Sequence, residues 1–91
     1  MILARVELER LDPAQNARRF YALTVMRDPQ YALFPEGEAI LLVLAWGRFG
    51  RRLAVLRKRF WNLDALAARW RAVLALRKRH GYVITREEPT S

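Results

Sequence analysis

The eight residues Ala39 to Trp46, AILLVLAW, form the longest uncharged apolar run in the chain and lie between Gly37 and Gly47. A short helix is possible, but Ile, Leu and Val bounded by glycines favour a central strand buried on both faces. In a chain of 91 residues that is a severe demand. A domain of this size has one small core, so few elements are available to cover two sides of a strand. The run is also well short of the roughly 20 residues a helix needs to cross a bilayer.

The neighbouring segments supply partners for such a strand. In residues 2 to 9, ILARVELE, Ile2, Ala4, Val6 and Leu8 alternate with polar side chains, which predicts a half-buried strand. DPAQN, residues 12 to 16, has turn chemistry, and RRFYALTVM, residues 18 to 26, is rich in aromatic and β-branched residues. A second, antiparallel strand follows from that order. Residues 27 to 38, RDPQYALFPEGE, read as a long loop with two prolines and a glycine. After a turn at Gly50, residues 52 to 60 predict a fourth strand with basic ends.

One helix is expected from Asn62. Asn62 is an N-cap residue, Asp64 suits the positive end of the helix dipole, and RKRH at 77 to 80 suits the negative end before Gly81. Leu63, Leu66, Ala67, Trp70, Val73 and Leu74 recur at three and four, giving one core-facing stripe. Tyr82, Val83 and Ile84 can return to the sheet, and residues 86 to 91 are expected to fray. The fold class is therefore α+β: a four- to five-stranded antiparallel sheet with one C-terminal helix packed on one face. Residues 1 to 85 would form a single domain. Because one helix covers one face, the second face needs the long loop, a homodimer partner or another protein.

Charge is distributed very unevenly. Residues 1 to 45 carry five arginines and six acids, whereas residues 46 to 80 carry eleven Arg or Lys and one acid, Asp64. Such a field favours a polyanion, nucleic acid being the commonest. Arginines outnumber lysines 15 to 2, and guanidinium suits bidentate phosphate contact. With no cysteine, disulfides and Cys-based zinc sites are excluded. MILARVELER lacks the pattern of a signal peptide, so a cytoplasmic setting is expected. His80 is the one histidine and Ser91 the one serine, which leaves no catalytic triad and no metal site to expect. GRFGRR is not a phosphate-binding glycine loop. A non-enzyme without cofactor is the expectation.

The order of NARRFYALTV, then WGRFG, then a basic strand ending at Phe60, then a helix closing on KRHGY resembles the WGR domain family, from about Arg5 to Tyr82. The triplet that names that family is here Trp46-Gly47-Arg48, and the likeness is nearest to short, stand-alone bacterial members. Many members continue with a second glycine and a glutamine, where this chain has Arg52 and Leu53. The resemblance implies a non-catalytic domain of antiparallel sheet plus one helix. In the WGR domains of DNA-dependent poly(ADP-ribose) polymerases the Trp lies against a terminal nucleotide and the Arg at the backbone. It thus implies nucleic-acid binding, DNA first, with Trp46 stacking and Arg48 contacting a phosphate or a neighbouring domain.

The residues can also be read without it. Trp46 and Arg48, two apart in an extended segment, project to the same side, and a ring beside a guanidinium suits a nucleotide. Alternatively, Trp46 continues the Ile40, Leu42, Leu44 face into the core, with Arg48 the first solvated residue. Arg51, Arg52, Arg57, Lys58 and Arg59 form a run unbalanced by acids and are candidate phosphate contacts. Arg77, Lys78 and Arg79 are secondary candidates, since cations stabilise a helix C-terminus in any case. A protein-interaction adaptor or homodimer with a basic docking face is the alternative function.

Overall fold

The computed structural model describes residues 2–14, 17–28 and 39–89. Among them run β1 (Ile2–Asp12), β2 (Ala17–Arg27), β3 (Ile40–Arg48), β4 (Ala54–Phe60), α1 (Leu63–Arg79) and β5 (Val83–Glu88). The strands form one antiparallel sheet in the order β4-β3-β2-β1-β5. The α+β architecture expected from the sequence is the one observed.

Register assigns every side chain to a face. Leu8 pairs with Tyr21 and Tyr21 with Trp46; Val6 pairs with Leu23 and Leu23 with Leu44. Side chains alternate along a strand, so these residues and Leu42 lie on one face. Leu66 and Val73 of α1 join them in the core, with Trp70, Leu74, Phe60 and Ile84 packed around it. Each such buried aliphatic side chain contributes about 1.5–3 kcal/mol relative to exposure. The apolar run is β3, flanked by β2 and β4. Leu42 and Leu44 are buried on the helix face, while Leu41, Val43 and Ala45 are half-buried on the other.

The helix begins and ends where its caps dictate. Asn62 accepts hydrogen bonds through Oδ1 from the backbone N–H groups of Asp64 (2.7 Å) and Ala65 (3.3 Å). At the other end Gly81 has φ +91°, its N–H donates to Lys78, and the Tyr82 N–H donates to Arg77. That pair of bonds satisfies carbonyls of the last turn, with a glycine in the left-handed region.

Topology fixes the path of α1. It links β4 to β5, and these are opposite edges of the sheet. Four inter-strand steps of about 4.8 Å make roughly 19 Å, and 17 helical residues at about 1.5 Å each reach that far. The helix therefore crosses the sheet obliquely, from Phe60 on β4 to Arg10 on β1, where Arg10 Nη1 donates to the His80 carbonyl (3.1 Å). No helix among the described residues is long and apolar enough to cross a membrane.

Several boundaries differ from the sequence reading. β1 continues to Asp12 and β2 to Arg27, while β4 starts only at Ala54. The expected frayed tail is partly strand: Arg86, Glu87 and Glu88 pair with Glu7, Val6 and Arg5 on β1. A polar segment gains order there because the β1 edge offers it a hydrogen-bond ladder. The long loop lies outside the described residues except for Arg27 and Asp28, as do Gln15 and Asn16 of the turn and Thr90 and Ser91 of the tail.

Candidate nucleic-acid interface

Because α1 crosses obliquely, the corner of the sheet formed by the end of β3 and the start of β4 is left open on the helix face. Trp46 lies in that corner, 36% exposed, so it is neither sealed in the core nor a free surface ring. Tyr21 stacks on one side of the indole, with centroids 5.9 Å apart and planes at 17°. On the other side the cross-strand partner is Ala54, whose methyl group is too small to shield an indole. The Trp46 ring is thus covered by Tyr21 on one side and partly exposed as a whole.

Guanidinium groups surround these rings. Arg10 pairs with Arg19 across β1 and β2, and Arg19 with Arg48 across β2 and β3. The three form a transverse row about 4.8 Å apart, one residue pair beyond the Leu8–Tyr21–Trp46 row on the same face. From α1, Arg77 comes within 4.6 Å of the Tyr21 ring centre. Arg10 stands 5.6 Å from the ring of Tyr82, which in turn meets Tyr21 edge-on at 6.0 Å. The Nε atoms of Arg19 and Arg77 are buried with no hydrogen-bond partner. Arg10 is held by the His80 carbonyl and by Asp12 at 3.9 Å. Arg48 is exposed.

Between α1 and the sheet at Tyr21 and Leu44 runs a groove of about 400 Å³, whose lining does not include Trp46. Tyr21 and Leu44 belong to its sheet side and Arg69, Ala72, Val73, Leu76 and Arg77 to its helix side, with Arg79. Residues 69, 72, 73, 76 and 77 fall on one helical face by their spacing of three and four. No carboxylate lines it among the described residues. By contrast, acids elsewhere are committed: Glu7 to Arg5 at 3.1 Å and Glu9 to Arg18. Burial raises the Tyr21 pKa above its ordinary 10.0, and the positive charges of Arg77 and Arg69 oppose that rise. At neutral pH the phenol is therefore neutral and leaves the local positive charge uncompensated.

The basic run of β4 does not stay together. Strand alternation sends Arg57 and Arg59 to the face away from α1 and Lys58 to the face of Trp46. Arg59 is engaged by the buried Asp28 at 2.8 Å, and Lys58 stands 5.4 Å from the Phe60 ring. Arg51 and Arg52 are exposed in the β3–β4 turn, beside Arg48. Of the expected contacts, then, Trp46, Arg48, Arg51, Arg52, Arg77 and Arg79 share one end of the molecule, whereas Arg57 and Arg59 lie on the opposite face. Lys78 is exposed in the last turn.

The WGRFG corner itself has a divided role. Trp46 and Arg48 face the helix side, as their spacing requires. Phe49 turns to the other side, where its N–H donates to the Arg18 carbonyl (2.8 Å) and its ring meets Phe20 edge-on at 6.2 Å. Gly47 between them has φ +155°, and a Cβ there would come 3.1 Å from Leu53 Cδ2. Sequence reasoning missed Arg10, Arg19 and Tyr21, whose adjacency appears only once strand register is known. The spacing of Arg69, Val73 and Arg77 was the one available signal for the helix wall.

No family model matches the chain, and no curated protein and no solved structure was found to be similar to it.

Proposed function

We propose that this protein is a non-catalytic nucleic-acid-binding module, of WGR-like type, that takes DNA at the end of the sheet carrying Trp46 and Arg48. One observation carries the reading: a partly exposed aromatic ring lies among guanidinium groups of which, among the described residues, Arg10 alone has a carboxylate partner, Asp12. The ring offers a stacking surface worth about 1–3 kcal/mol per base, and the guanidiniums offer forked donors to phosphate oxygens.

The test is a titration of labelled nicked, blunt and single-stranded DNA at several salt concentrations. If about six phosphates are neutralised, log affinity falls against log salt with a slope of about −5. Binding that is micromolar or weaker and indifferent to salt would remove the proposal.

A second reading, an adaptor or homodimer, draws on the exposed Val55 and Leu56 of the edge strand β4. Arg57, Lys58 and Arg59 on that same edge oppose pairing with a second copy, since like charges would meet. Light scattering separates the two: a tight dimer unaffected by DNA favours the adaptor.

A further inference from the structure

The sheet ends in two edge strands, β4 and β5, and they offer different surfaces. β5 carries both signs of charge, and Arg86 is paired with Glu88, so that edge compensates itself. β4 carries Arg57, Lys58 and Arg59, and no acidic residue occurs anywhere from Ala39 to Leu63. We propose that β4 is a docking edge for an extended acidic segment of a partner protein, which adds to the sheet as a further antiparallel strand. This goes beyond the nucleic-acid reading and does not rest on it, since it uses other residues than Trp46 and Arg48.

Three observations lead there. First, the edge is bare. Ala54 to Arg59 are all exposed, and among the described residues β4 pairs with β3 alone. In an antiparallel ladder every second residue turns its N–H and C=O away from the neighbouring strand, which leaves a row of them for an incoming backbone. Second, the side chains make an ordered pattern. Val55 and Leu56 are 47% and 48% exposed, one on each face of the sheet, and Arg57 and Lys58 follow, again one on each face. Arg59 is held by Asp28, so the pattern ends at Lys58. An antiparallel strand meets these residues in reverse, and its matching order is two acids followed by two apolar residues. Third, that division between faces selects the occupant. A phosphate chain runs along one surface, whereas Arg57 and Lys58 point to opposite ones. An added strand alternates its own side chains and meets both. A second copy of β4 would bring cations against cations.

The probe is a short fluorescein-labelled peptide with Glu-Glu-Val-Val at its centre, titrated against the full chain by anisotropy. It is expected to bind, and joint replacement Arg57→Glu and Lys58→Glu, at two exposed positions, should weaken it by about tenfold. A peptide with Lys-Lys-Val-Val at its centre should restore binding to that variant, which a misfolded chain would not do. Two alternately N-methylated forms of the acidic peptide, each blocking one of its two edges, test the backbone: one should bind and the other should not. Binding of oligo(dT) should change by less than about threefold in the variant at screening salt.

Equal binding of both methylated forms, or of neither, overturns strand addition. So does a charge-reversed variant that takes the acidic peptide unchanged. If oligo(dT) displaces the peptide and the variant loses both ligands alike, β4 belongs to nucleic acid and the proposal fails. A concentration-dependent dimer that the variant abolishes makes a second copy the occupant and overturns it as well. No binding of the acidic peptide to the unaltered chain overturns this proposal alone and leaves the DNA reading standing.

Discussion

Arg48 and Arg59 are both arginines on strands of the same sheet, yet their surroundings give them different work. Arg48 is exposed at the end of β3, next to Arg19, and among the described residues no carboxylate pairs with it. Removing it should leave stability within about 0.5 kcal/mol. It should also reduce the salt slope of DNA binding by about 1, as expected for one lost phosphate contact. Arg59 faces away and holds the carboxylate of Asp28, which is 5% exposed. Arg59→Ala should instead lower stability by about 1–3 kcal/mol, because a buried carboxylate loses a charged donor, and should leave the salt slope unchanged. Denaturant melts paired with binding isotherms for the two variants test this contrast. Tyr21 gives a third residue-scale expectation. Its folded pKa is raised above 10.0 by burial, so the folded state holds the phenolic proton more tightly than the unfolded chain does. The resulting stability is fully present below about pH 10 and is lost as pH rises through the higher folded value. Thermal melts from pH 8 to 11 should show a fall at the alkaline end, and Tyr21→Phe should flatten part of it.

At the scale of elements, α1 is the one whose limits were legible in advance. Its signals are local: a side chain that caps, a glycine that can adopt positive φ, and a three-four stripe. Asn62→Ala removes the acceptor for two N–H groups and should cost about 1 kcal/mol. Gly81→Ala keeps the sequence helical but forces a Cβ into φ +91°, at about 1–2 kcal/mol. Chemical denaturation of each variant measures both. The strands were legible as strands, while their ends and partners were not. β5 shows the reason. Nothing in the polar stretch TREEP, residues 85 to 89, marks Arg86 to Glu88 as strand; they are ordered because β1 offers an edge to pair with. The basic run of β4 shows the converse: Arg57, Lys58 and Arg59 are adjacent in sequence and read as one patch, and alternation divides them between two faces.

For the whole molecule, the decisive event is that β4 and β5 occupy opposite edges, so α1 must traverse the sheet and cannot cover all of it. The open corner beside Trp46 is a consequence of that path. A chain ending at Thr85 would lose the pairing of Arg86, Glu87 and Glu88 with β1 and should melt several degrees lower, since about 1 kcal/mol shifts a small domain by about 4–8 °C. Circular dichroism on the shortened chain checks it. The sequence by itself determined the α+β class, the helix with both caps, the shared side of Trp46 and Arg48, and the excess of positive charge after residue 45. All of these follow from neighbours within a few positions, where backbone geometry alone relates one side chain to the next. Only the tertiary structure decided that Arg10, Arg19 and Arg48 form a row, that Arg77 reaches Tyr21, and that Arg57 and Arg59 face elsewhere. Those relations depend on strand register and on the path of a helix, which join residues up to some 60 positions apart.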